Sequence, residues 1–134
     1  MVKAILRNYR QSPRKVRLVA DLVRGKKVDR ALTVLDFLTK KASEPVRNVI
    51  KLAVANARHN FHLDPDKLFI KEIRVDDGVT LMRRMPRARG SAYPIRKRTS
   101  HIEVLLATPE RPKLEVKTRE VEGDEAEEKH EVRA

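Results

Sequence analysis

The chain has 134 residues, 37% of them charged, and a formal net charge of +12. That length allows one domain with a modest core, and the lack of cysteine excludes disulfides and thiolate metal sites. No apolar run approaches the roughly 20 residues of a membrane span, so the charge points to a polyanion, nucleic acid ahead of an anionic membrane surface.

Val2, Ala4, Leu6 and Asn8 alternate with Lys3, Ile5, Arg7 and Tyr9, which predicts a strand. Ser12 as N-cap and Pro13 at the first helical position open a helix. Its apolar stripe is Val16, Val19, Ala20 and Val23, and Gly25 supplies the stop. A second helix is expected from Asp29 to about Leu38, with Ala31, Leu32, Leu35 and Leu38 inward. A third opens at Ser43, carries Val46, Val49, Ile50, Ala53 and Ala57 inward, and fades near His59. After Asp64, Pro65 and Asp66 the period changes to two. Phe69, Lys71, Ile73 and Val75 alternate with Ile70, Glu72, Arg74 and Asp76, a second strand. Ile102, Val104 and Leu106 alternate with His101, Glu103 and Leu105, a further strand.

Between those strands lies LMRRMPRARGSAYPIRKR, residues 81–98, with seven basic side chains and no acidic one. A structureless loop of that length is uncommon in a compact domain. The segment therefore reads as a two-stranded arm reversing near Gly90, where a turn needs positive φ. About 18 residues per strand would reach on the order of 60 Å. A hairpin with no apolar face is marginal in water, so its far half should order only against a partner.

Residues 1–107 carry +15 (25 basic less 10 acidic) and residues 108–134 carry −3 (six basic, nine acidic). The division predicts an RNA-binding domain over 1–107 and a disordered charged tail over 108–134. The N-terminus, MVKAILRNYR, has no apolar core of a secretory signal, which leads to the expectation of a cytoplasmic protein.

No catalytic constellation is present. His59, His62, His101 and His130 fall in separate environments, and His59 and His62 lack a thiolate or carboxylate pair beside them, so no metal site is read. No phosphate-cradling glycine loop occurs, and no cofactor is expected. What remains is distributed basic charge: Arg7, Arg10, Arg14, Lys15, Arg17, Arg24, Lys26 and Lys27, then Lys40 and Lys41, and in the arm Arg83, Arg84, Arg87, Arg89, Arg96, Lys97 and Arg98. Arginine forks suit phosphate, and A-form RNA is read by shape and backbone contacts. Aromatics are only 4%, which argues against a stacking single-strand binder. Two other readings stay open on these residues alone. An enzyme acting on RNA would need a cofactor pocket or catalytic pair, and a nucleoid-type DNA binder would leave the one-sided arm unexplained.

The blocks SPRKVRLVADLVRGK (12–26), ANARHN (55–60), VDDG (75–78), MPRARG (85–90) and KRTSHI (97–102) resemble the large-ribosomal-subunit protein 22 family of bacterial type. The resemblance runs in order over about residues 3–107. It implies an α+β fold, three helices packed on a short antiparallel sheet, with a long protruding β-hairpin. It also makes 23S-type rRNA the expected polyanion, and the basic side chains read above then stand as the expected rRNA-binding residues: Arg7, Arg10, Arg14, Lys15, Arg17, Arg24, Lys26, Lys27, Arg87, Arg89, Arg96, Lys97 and Arg98. The family's hairpin lines the nascent-peptide exit tunnel, opposite large-subunit protein 4. By resemblance the tunnel-facing tip falls within about Met82 to Tyr93 and comprises Met82, Arg83, Arg84, Arg89, Gly90 and Ser91; Met82, Arg83 and Arg84 match the tip element whose changes alter macrolide handling in the family. Val79 stands where the family often has proline, and Tyr93 with Pro94 replaces a more polar stretch, removing a ladder donor from the returning strand.

Overall fold

Alternation of apolar and polar side chains builds a three-stranded antiparallel sheet in the computed structural model, which describes residues 1–108. The strand order is β1 (Val2–Tyr9), β5 (Ser100–Ala107), β2 (Phe69–Asp77), so the last strand is central. Every second residue of β5 is buried, with Ile102, Val104 and Leu106 on the core face. Helices α1 (Pro13–Val23) and α3 (Ser43–Phe61) cover that face, and α2 (Val28–Phe37) packs against α3. The architecture is the expected α+β one.

The helices start and stop for local reasons. Ser12 occupies the N-cap of α1 through its carbonyl, which accepts from the Lys15 and Val16 N–H groups; its hydroxyl makes no capping bond. Gly25, at φ +74°, turns the chain out of α1, and its N–H reaches the Ile70 carbonyl at 3.0 Å. Ile70 N–H returns to the Lys26 carbonyl at 2.9 Å, so the α1–α2 loop lies along the β2 edge and closes part of it. Helix α2 spans Val28 to Phe37 rather than starting at Asp29, with Val28, Ala31 and Leu35 buried and Leu32 and Leu38 half-buried. Helix α3 outruns its expected end near His59 and stops at Phe61, where His62 is left-handed.

Two strands depart from simple alternation. In β2 both Ile70 and Ile73 are buried because the register slips between Ile70 and Glu72, leaving Lys71 as the extra residue. The sequence expectation put Ile70 and Ile73 on opposite faces; the bulge corrects it. In β1 a second irregularity lies between Leu6 and Tyr9, where Asn8 takes φ 57° and donates its N–H to His101 Nδ1 at 3.1 Å.

Beyond the sheet, β3 (Leu81–Pro86) and β4 (Ala92–Lys97) form a separate two-stranded arm. Its ladder is six residues on each strand. About 12 residues from the sheet to the turn give roughly 40 Å of reach, less than the 60 Å expected, because β2 itself is held in the sheet. Residues 109–134, and with them nearly all of the proposed tail, lie outside the described residues. Among the described residues no helix is long and apolar enough to cross a membrane.

Candidate nucleic-acid interface

The arm leaves the sheet at a tight joint. Gly78 donates its N–H to the Thr99 carbonyl at 2.9 Å, and Thr99 Oγ1 donates to the Val79 carbonyl at 2.8 Å. A Cβ on Gly78 would run into Thr99 Oγ1 and crowd His101 Nε2. Only glycine lets the two chains come this close. The joint sets the basic side chains at 96–98 beside the start of α1.

At the far end the chain reverses through residues 88–90, with Arg89 at φ 58° and Gly90 at φ 74°. Reversal near Gly90 was expected; the left-handed arginine was not. Arg87 lies over the Tyr93 ring at 5.8 Å, a cation–π pair at the turn. All arm side chains are exposed except Ile95, which is half-buried.

The arm and body enclose a cleft of about 740 Å³ lined by Arg10, Gln11, Ser12, Lys15, Lys41, Leu81, Arg83, Arg96, Lys97, Arg98 and Thr99. Seven of these eleven residues are basic and none is acidic. The six ion pairs among the described residues all lie elsewhere, such as Lys3 with Glu103 and Arg47 with Asp36. Unpaired cations at a concave surface focus potential toward an anion.

The fold divides the sequence-derived residues. Arg10, Lys15, Arg96, Lys97 and Arg98 meet in the cleft, with Arg83 from the strand assigned to the tip. Arg17 and Arg24 face β2: Arg17 Nη2 donates to the Val75 carbonyl at 2.9 Å, and Arg24 Nη2 to the Ile73 carbonyl at 3.2 Å. Both guanidinium groups thus tie α1 to the sheet. Arg14 is exposed on α1, and Arg7 is exposed on the helix-free face. Lys26 and Lys27 sit past the far end of α1, some 11 residues or about 16 Å from Ser12. Arg87, Arg89, Gly90 and Ser91 form the turn, whereas Met82 and Arg84 stand lower on β3, opposite Arg96 and Pro94.

Lys41 belongs to the basic set read from the sequence but not to the expected rRNA-binding residues, and Gln11 belongs to neither. Their place depends on Tyr9, whose hydroxyl donates to Gln11 Oε1 at 2.8 Å and lies 3.4 Å from the Lys41 carbonyl. Burial, and secondarily the Glu44 carboxylate, push the Tyr9 phenol above its ordinary value. No local sequence signal links residues 9, 11 and 41.

A model of the family described as ribosomal protein L22p/L17e matches residues 4–107. The chain belongs to that family. It is similar to the large ribosomal subunit protein uL22 of Desulfitobacterium hafniense (strain Y51), 59% identical over 104 residues covering 78% of this chain and 91% of the relative. It is similar to that of Herpetosiphon aurantiacus, 57% identical over 104 residues, 78% of this chain and 92% of the relative. With that of Deinococcus radiodurans it shares 54% identity over 104 residues, 78% of each. The family is a structural, non-enzymatic component of the large ribosomal subunit. Among the described residues no cluster of three or more His, Cys, Asp or Glu is placed to hold a metal.

Proposed function

We propose that this chain is a structural constituent of the large ribosomal subunit that binds and organises 23S-type rRNA through the cleft and arm. It catalyses nothing itself. The observation that carries the reading is the cleft: seven cations from β1's end, α1, the α2–α3 loop and the arm converge with no carboxylate among them. Folding gains nothing from that arrangement, since like charges repel. A polyanion entering the cleft would relieve it, and a folded A-form segment presents phosphates on two sides to match arm and body.

The arm then carries its turn away from the body. In this reading the turn, with Arg89, Gly90 and Ser91, lines the nascent-peptide exit tunnel near large-subunit protein 4, and Met82, Arg83 and Arg84 lie along the same wall. The setting is the bacterial cytoplasm. The names of the relatives support membership of the large subunit; the arm's exposure and basic charge support the tunnel role. Gradient sedimentation of a lysate tests it. Co-migration with large subunits is expected, and a protein that stays at the top of the gradient sinks the proposal.

A further inference from the structure

We propose that the acidic run at residues 120–131 of this same chain occupies the basic cleft whenever nucleic acid does not. The inference goes beyond the rRNA reading and needs only the cleft. Residues 120–131 hold seven carboxylates, Glu120, Glu122, Asp124, Glu125, Glu127, Glu128 and Glu131, against one lysine, Lys129. The cleft holds seven cations and no acid. Carboxylate accepts the same forked donor pair from arginine that phosphate does, so the segment is a chemical stand-in for an RNA backbone.

Chain geometry permits the contact. Strand β5 starts at Ser100, beside the cleft residue Thr99, and ends at Ala107. Its length is about 24 Å at roughly 3.4 Å per residue. The stretch from Thr108 to Glu120 can span up to about 40 Å, at no more than 3.6 Å per residue. The acidic run therefore reaches back along the whole strand with length to spare.

Each exposed pair is weak on its own, since solvent screens it and two long side chains must be held in place. Tethering changes the outcome, because a segment on the same chain acts at an effective concentration of about 1 mM. Several weak pairs at that concentration hold the cleft against a generic polyanion. A cognate rRNA site that also engages the arm adds contacts the tail cannot match and displaces it. The tail thus sharpens specificity by lowering the affinity for wrong partners.

The chain has no cysteine, so Ala126→Cys in the full-length protein gives a single nitroxide site. At low salt the label should at least halve the amide signals of Gln11, Lys41, Lys97 and Arg98, and leave that of exposed Phe61, at the far end of α3, unchanged. The effect should vanish in about 0.5 M salt, where the screening length falls to a few Å. It should also vanish when the seven acids are changed to Gln or Asn. That neutralised full-length protein should bind a generic A-form RNA duplex about tenfold more tightly than the parent. Absent or uniform broadening, or equal RNA affinity in the two proteins, overturns the proposal. Broadening that appears only between labelled and isotope-bearing molecules in a mixture also overturns it, by making the contact intermolecular. The label readout contains no RNA, so its failure is distinct from failure of the rRNA reading.

Discussion

Arg87 donates its N–H to the carbonyl of Ser91 at 2.8 Å, and that bond fixes the phase of the entire arm. Antiparallel pairs alternate between hydrogen-bonded and non-hydrogen-bonded. With Arg87 bonded to Ser91, the pairs Pro86 with Ala92, Arg84 with Pro94, and Met82 with Arg96 are all of the non-bonded kind. Both prolines of the arm therefore stand where the strand's N–H would point outward. Pro94 removes no ladder donor, contrary to the sequence expectation. The two prolines instead leave each outer edge one donor short, which discourages another strand from adding there.

Moving a proline by one position tests that phase. Tyr93→Pro removes a donor that the ladder uses and should cost about 1 kcal/mol. Ala92→Pro keeps the outward phase and should be tolerated. Cross-strand proton contacts between Arg83 and Ile95, compared in the two variants, decide the matter. Equal loss in both would mean that the phase is different.

Gly78→Ala should destabilise the joint by about 1–3 kcal/mol, the usual cost of overpacking, because the new methyl meets Thr99 Oγ1. Thr99→Ala in the same chain removes that oxygen and should restore about 1 kcal/mol by coupling between neighbours. Thermal melts of the two single variants and the double variant close the cycle. Simple additivity would remove Thr99 as the obstacle.

The two classes of arginine should separate in a salt titration. Arg96→Ala and Lys97→Ala, both in the cleft, should each lower the slope of log affinity against log salt by about one. Arg24→Ala should leave the slope alone and lower stability by about 1 kcal/mol through the lost bond to Ile73. A change of slope in Arg24→Ala equal to that in Arg96→Ala would put Arg24 back among the phosphate contacts.

Tyr9 should make stability fall in strongly alkaline solution. Its folded phenol titrates above the ordinary 10.0, so between the unfolded and folded values the native state holds the proton more tightly. The contribution is full below about pH 10 and is lost as pH rises through the folded value. Tyr9→Phe should flatten that limb and, by releasing Gln11 and Lys41, weaken RNA binding a few-fold. Denaturant midpoints measured across the alkaline range check the first effect.

Beyond the Gly78 joint, residues 79–98 should exchange amide hydrogens freely in the isolated protein and be protected in the particle, because a two-stranded ladder without an apolar face is marginal in water. Equal protection in both states would remove the need for external support.

The amino-acid sequence determined the elements and the core of this protein. Helix stripes such as Val46, Val49, Ile50, Ala53 and Ala57 are written at the helical period, and all five are buried. Period and capping are properties of neighbouring residues, so a linear reading finds them. The basic arm and its reversal at Gly90 were legible for the same reason. Tertiary structure alone decided which cations act together. Arg17 and Arg24 look like Lys15 along the chain, yet they bond to β2 carbonyls while Lys15 faces the arm. Lys41 joins Arg98 only because β1 ends beside the α2–α3 loop, where Tyr9 holds both neighbours. Charge acts through space, and distance in space is what the order of residues does not record.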